Sequence, residues 1–223
     1  MSQNNNDKNA LVERKGDEKI VCGKDELGYT MCDFWRWAYS NIEFNMNRGT
    51  FADFLVRCAL EKGGVKTREV IGTGFESYDL EGPDLDNPKL KLKQARIEVK
   101  SAAYIQTWRD KPSKKISFGI SKARVKDENG DYKKASPKRR NNDLYVFCLY
   151  KAQSNGENIM DVSKWDFYVY PTYKINENPS LEGNNTISKA RLEKLGVKPV
   201  SFRDLCDTIK KTVDDIAMHF KNQ

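Results

Sequence analysis

Apolar positions change period twice along the chain. In the first 60 residues they recur at helical spacing: Phe51, Phe54, Leu55, Cys58 and Ala59 occupy i, i+3, i+4, i+7 and i+8. Residues 31–42 and 50–60 are therefore predicted helices, the second closed by Gly63-Gly64. From Phe75 the period drops to two. Residues 75–80 and 95–102 are predicted strands, joined by a turn-rich connector from Gly82-Pro83 to Pro88. Further strands are predicted at 116–125, 143–150 and 165–170. The stretch from Leu144 to Leu149 is almost continuously apolar, as a central strand covered on both faces would be. Helical spacing returns after Ser188, stopping at Gly196, and again from Ser201 to about Phe220, with Asp204 as a weak capping-box partner. Helices, about five strands, then helices predict an α/β or α+β domain built around one sheet. Residues 1–18 are poor in apolar side chains and are expected to be disordered, leaving 19–223 as a single domain.

Composition narrows the chemistry. Ten Phe, 10 Tyr and 4 Trp provide bulky core material in 223 residues. No apolar run approaches the ~20 residues of a membrane helix, and the Asn/Asp/Lys-rich start lacks the apolar stretch of a signal peptide. A cytoplasmic protein with no membrane partner is expected. The five cysteines (Cys22, Cys32, Cys58, Cys148, Cys206) are odd in number and form no Cys-x-x-Cys, which argues against a disulfide framework and a structural zinc site. With His219 as the single histidine, chemistries that need a positioned imidazole are disfavoured. Any metal would be hard and oxygen-ligated, such as Mg²⁺ or Mn²⁺.

Against that background one stretch stands out, Arg96-Ile97-Glu98-Val99-Lys100-Ser101-Ala102. On a strand, residues two apart share a face about 6.6 Å apart. Glu98 and Lys100 then lie together, while Ile97 and Val99 turn into apolar packing. Four acidic-x-Lys/Arg-type triplets ending in Lys occur in this highly charged chain, and this one alone lies within an alternating apolar strand. Two charges on a half-buried strand are costly unless something satisfies or uses them. A divalent cation on Glu98, with Lys100 beside an attacking water, is one such use; a solvated pair on an edge strand is the other. A second carboxylate for the cation comes from Asp79 or Asp84, which stand 19 and 14 residues before Glu98. Asp79, on strand-like sequence, is the better held of the two. The net charge of +7 is also uneven. Residues 109–142 carry 12 Lys/Arg against 4 Asp/Glu, a local +8 that leaves −1 for the remainder. Such a segment either attracts a polyanion or is simply solvated.

A carboxylate, a spacer and then Glu98-Val99-Lys100 on a strand resemble the PD-(D/E)xK nuclease superfamily, and Pro83-Asp84 supplies even its literal first pair. The run from Arg48 to Val56 resembles the family's leading helix. The run from Ser101 to Trp108 resembles the continuation found in an uncharacterised bacterial branch, as do 140–147 and 165–169. The resemblance spans residues 48–210 and implies a restriction-endonuclease-like fold, a central mixed sheet of about five strands flanked by helices. It implies a metal-dependent DNA endonuclease in which Asp79, Glu98 and the Val99 carbonyl hold Mg²⁺ or Mn²⁺, Lys100 positions water, and Gln106 lies near the site. Asp53 stands where the family usually carries Glu, which implies contact with the metal through water; it could equally cap or pair with Arg57. The implied partner is DNA or another nucleic acid. A homodimer would suit double-strand cutting. The alternatives are a nucleic-acid-binding protein on the same fold that no longer cuts, and an α/β interaction protein with Glu98 and Lys100 merely solvated.

Overall fold

The computed structural model describes residues 14–69, 78–87, 92–109, 111–124 and 137–221. It divides the chain at residue 41/42 into two units. In the first, β1 (Lys19–Cys22) and β2 (Asp25–Thr30) form an antiparallel hairpin whose turn uses Gly23 at φ 64°, a left-handed value suited to glycine. Thr30 then starts α1 (Met31–Tyr39) with a capping box: its Oγ1 accepts from Asp33 N at 3.3 Å, and Asp33 Oδ2 accepts from Thr30 N at 2.9 Å. The hairpin escaped the pattern reading because its residues are almost all exposed and charged ones interrupt the alternation. This hairpin–helix unit is followed from residue 42 by a larger α/β unit. Most of the segment expected to be disordered lies outside the described residues.

The larger unit is a mixed sheet with both faces covered. Its strands β3 (Arg68–Glu69), β4 (Leu80–Asn87) and β5 (Leu92–Ala103) are followed by a short β6 (Ser117–Gly119) that lies elsewhere, then by β7 (Leu144–Tyr150) and β8 (Trp165–Pro171). The sheet order is β3-β4-β5-β7-β8, antiparallel throughout except for the parallel β5–β7 pair. All seven residues of β7 are buried, as expected of a strand covered on both sides. Leu144, Val146, Cys148 and Tyr150 join one core, with α2 (Asn45–Lys62) and α5 (Phe202–Lys221). Tyr145, Phe147 and Leu149 join the other. That second core is covered by β6 and β9 (Thr186–Ser188), paired as a small sheet, together with α3 (Thr172–Asn176) and α4 (Lys189–Lys194). Among the described residues no helix is long and apolar enough to cross a membrane.

Three local expectations shift. The connector at 82–88 is strand as far as Asn87. Pro83 is tolerated there because β3 pairs only with Leu80 and Glu81, so Pro83 costs no ladder hydrogen bond on that edge. The strand at 116–125 shrinks to Ser117–Gly119 and leaves the central sheet, because Ile116, Phe118 and Ile120 roof its far face. The buried face of α2 is Arg48, Ala52, Leu55, Val56, Ala59 and Leu60, one position round from the stripe through Phe51 and Phe54. Small Ala52 and Ala59 let the helix approach the sheet closely, which Phe54, 51% exposed, would prevent. Of the predicted strand at 75–80, residues 75–77 lie outside the described residues, Tyr78 and Asp79 form a bend, and Leu80 opens β4.

The parallel pairing that aligns the site is pinned at its start. Arg96 Nη2 and Nε donate to Asp143 Oδ1 and Oδ2 at 2.8 and 3.0 Å, Arg96 N donates to Oδ2 at 2.8 Å, and Asp143 N donates back to Arg96 O at 2.8 Å. Burial alone would lower the Arg96 pKa, but the Asp143 carboxylate raises it above the ordinary value. Asp143→Ala leaves that guanidinium unpaired and is expected to lose about 3 kcal/mol, read as a lower urea midpoint at unchanged slope.

Candidate active site

The site forms where one strand outruns its neighbour. Because β4 begins at Leu80, opposite Ile97, the rest of β5 has no β4 residue beside it. The edge-facing N–H of Val99 is taken instead by a side chain: Asp79 Oδ2 accepts it at 2.7 Å, while Asp79 N donates to Ile97 O at 2.9 Å. The Val99 carbonyl points to the same edge as its N–H. On the other flank β7 aligns Glu98 with Tyr145 and Lys100 with Phe147, so both charged side chains share the face opposite Ile97 and Val99. Glu98 and Lys100 form an ion pair, with side chains 17% and 36% exposed.

Electrostatics separate this cluster from an ordinary surface pair. Burial first, and then the negative charge of Asp79, push Glu98 up to about 6, against the pull of Lys100. Burial also raises Asp79, opposed by Lys100 and the Val99 N–H. Burial would lower Lys100, but Glu98, Asp79 and the more distant Asp53 together hold it above its usual value. Two half-buried carboxylates therefore share one ammonium, and one negative charge is uncompensated within the trio. A divalent cation would relieve that imbalance. The donors at hand, two carboxylates and a carbonyl, are hard oxygens of the kind Mg²⁺ or Mn²⁺ accepts. Among the described residues no group of three His, Cys, Asp or Glu side chains gathers for an ion. Such a cation would be completed by water, several molecules of which Mg²⁺ commonly keeps.

Each of the other expected residues has a definite place. Asp84 is exposed on β4 opposite Gln94, four positions and about 13 Å along β5 from Glu98. Asp79 is thus the aspartate that the fold brings to Glu98. Asp53 lies half-buried on α2, where its charge reaches Lys100. Gln106 has both ends of its amide engaged: Oε1 accepts from Arg48 Nη2 at 3.3 Å, and Nε2 donates to Ala103 O at 3.1 Å. Arg48, 1% exposed, also donates to Glu43 O at 3.0 Å and Asn45 Oδ1 at 2.6 Å, and burial lowers its pKa. It ties the start of α2 to the exit of β5, a role hidden in sequence because arginine there reads as a polar helix position.

No protein-family model matches the chain, and no curated protein matches it. Among solved structures, a bacterial homing endonuclease, I-Ssp6803I, is similar at a TM-score of 0.36 and 15% identity over 64% of this chain and 72% of that one.

Of the basic segment, much lies outside the described residues, and the described part divides sharply. Arg140 is buried at 7% exposure. Its guanidinium donates to Ile120 O at 2.7 Å, Asn176 Oδ1 at 2.8 Å, Asn184 O at 3.0 Å and Glu182 O at 3.3 Å. Arg139 is exposed and donates to Asn141 Oδ1 at 2.9 Å. Lys114 and Lys115 are exposed as well.

Proposed function

We propose that the protein is a divalent-cation-dependent deoxyribonuclease of the PD-(D/E)xK type. The observation that carries this reading is the half-buried Asp79–Glu98 pair sharing the single ammonium of Lys100 where β5 runs on past the start of β4. Asp79, Glu98 and the Val99 carbonyl are the residues that would hold Mg²⁺ or Mn²⁺. When bound, such a cation supplies Lewis acidity toward a phosphoryl oxygen and eases deprotonation of water. Lys100 orients the attacking water and, through its charge, stabilises negative charge developing on the non-bridging phosphate oxygens. Water oxygen bonds to phosphorus as the bond from phosphorus to the 3′ oxygen breaks, leaving a 5′-phosphate and a 3′-hydroxyl. Asp53 adds its charge to those of Glu98 and Asp79, which favour the ammonium form of Lys100.

The test is cleavage of supercoiled plasmid and of single-stranded DNA with Mg²⁺ or Mn²⁺. Wild type is expected to cut, while Asp79→Asn and Lys100→Met fall by roughly 10²–10³-fold. Equal activity in all three proteins overturns the assignment. The Glu98–Lys100 ion pair, which satisfies the lysine without substrate, favours a second reading: a nucleic-acid-binding protein that does not cut. Salt-sensitive DNA binding without product, unchanged in Lys100→Met, selects it.

A further inference from the structure

We propose that the cleft beside the exit of β5 is the track for the phosphodiester backbone of the strand being cut, with Lys114 and Lys115 as its phosphate contacts. The cleft has a volume of about 530 Å³ and is lined by Tyr104, Lys114, Lys115, Ser117, Ser188 and Lys189. Its one carboxylate, Glu193, is held by Lys189 at 2.7 Å and does not oppose an incoming anion. Among the described residues no ion pair engages Lys114 or Lys115.

The segment carrying these lysines is fixed, not a loose loop. Ser113 N donates to Tyr104 O at 2.6 Å, Ser113 Oγ donates to Lys115 O at 2.8 Å, and Lys189 N donates to Ile116 O at 3.0 Å. Ser117 and Ser188 then pair across β6 and β9, placing two polar residues side by side at the cleft. Two ammonium groups and several hydroxyls on a rigid wall match a chain of phosphate oxygens, and they carry no base-reading geometry. Position joins the cleft to the proposed cutting site. Ala102 and Tyr104 pack on the same core as Tyr145 and Phe147, the face that Glu98 and Lys100 share. Lys100 to Tyr104 is four residues, about 13 Å along the strand. At that separation the cleft lies within a few phosphates of the cut along the same strand.

This inference rests on the nuclease reading for its placement, and it is tested separately from it. Binding of a 30-base-pair duplex is followed by fluorescence anisotropy in EDTA over a salt series. The proteins compared are wild type, Lys114→Ala/Lys115→Ala, and the charge-matched Lys62→Ala/Lys66→Ala on an exposed stretch elsewhere. Two lost phosphate contacts are expected to reduce the slope of log Kd against log salt by about two and to weaken binding tens of fold near 0.1 M salt. The Lys62/Lys66 variant is expected to keep the wild-type slope. Matching circular dichroism melts show that all three proteins are folded. An unchanged slope in the Lys114/Lys115 variant, an equal loss in the Lys62/Lys66 variant, or a wild type without salt-dependent binding overturns the track. A wild type that binds with the expected slopes but leaves plasmid intact with Mg²⁺ overturns the cutting reading instead.

Discussion

Glu98→Gln is expected to reduce DNA cleavage by roughly 10³-fold while making the fold more stable above pH 6. Unfolded, this glutamate ionises near 4.5; in the folded protein it does so at about 6, because burial and the neighbouring Asp79 penalise its charge. Between those two values the folded state binds more protons than the unfolded one. Stability contributed by the protonated form is therefore complete below pH 4.5 and lost as pH rises through 6. Above pH 6 the ionised carboxylate costs about 2 kcal/mol. Gln keeps the shape and removes the charge, so the variant should gain roughly 1–2 kcal/mol at pH 7.5 and nothing at pH 4.5. Urea unfolding at the two pH values measures both. Mg²⁺ at ten times its Kd should raise wild-type stability by about 1.4 kcal/mol and leave Glu98→Gln unchanged. A variant that is less stable than wild type at pH 7.5, with Mg²⁺ inert toward both, contradicts the strained acidic pair.

Legibility in the sequence follows from how local the governing physics is. Strand β5 and helix α5 were readable because each buries a regular stripe, and strands β7 and β8 because nearly every residue is apolar and buried. The Glu98–Lys100 pairing was readable for the same reason, since the two-residue period of a strand settles it. What brings Asp79 to Glu98 is instead the length of β4 relative to β5, a tertiary quantity that no spacing encodes. The predicted face of α2 shares Leu55 and Ala59 with the buried one but is turned toward Phe54 and Cys58, because hydrophobicity favours the large Phe54 whereas close packing against the sheet selects Ala52 and Val56. Ile116, Phe118 and Ile120 alternate as a strand should, yet they serve a second layer; alternation reveals a buried face without revealing which sheet owns it. Charge misleads most. Counted along the chain, Arg140 belongs with Lys114 and Lys115 in one basic segment, but in the fold it is buried while they are exposed.

Arg140→Met is expected to lose about 3–5 kcal/mol of stability and to leave the salt dependence of DNA binding unchanged. Its guanidinium sits among carbonyls contributed by Ile120, just past β6, and by the turn at 182–184, with the Asn176 amide oxygen from α3. Among the described residues no carboxylate accepts from it, and its charge faces backbone carbonyl dipoles that it satisfies. Removing the cation strands several acceptors together, each at about 1–3 kcal/mol if water cannot reach it, with partial relaxation keeping the total below their sum. The network joins the lead-in to β7 to the layer over Tyr145 and Phe147, the face that also carries Glu98 and Lys100. Arg140→Lys retains the charge but cannot reproduce the planar fork, and should recover less than half of the loss. Urea denaturation gives the stabilities, and the anisotropy salt series gives the slope. An Arg140→Met protein as stable as wild type, with a slope smaller by about one, would make this residue a phosphate contact and return the whole basic segment to the surface role its composition suggests.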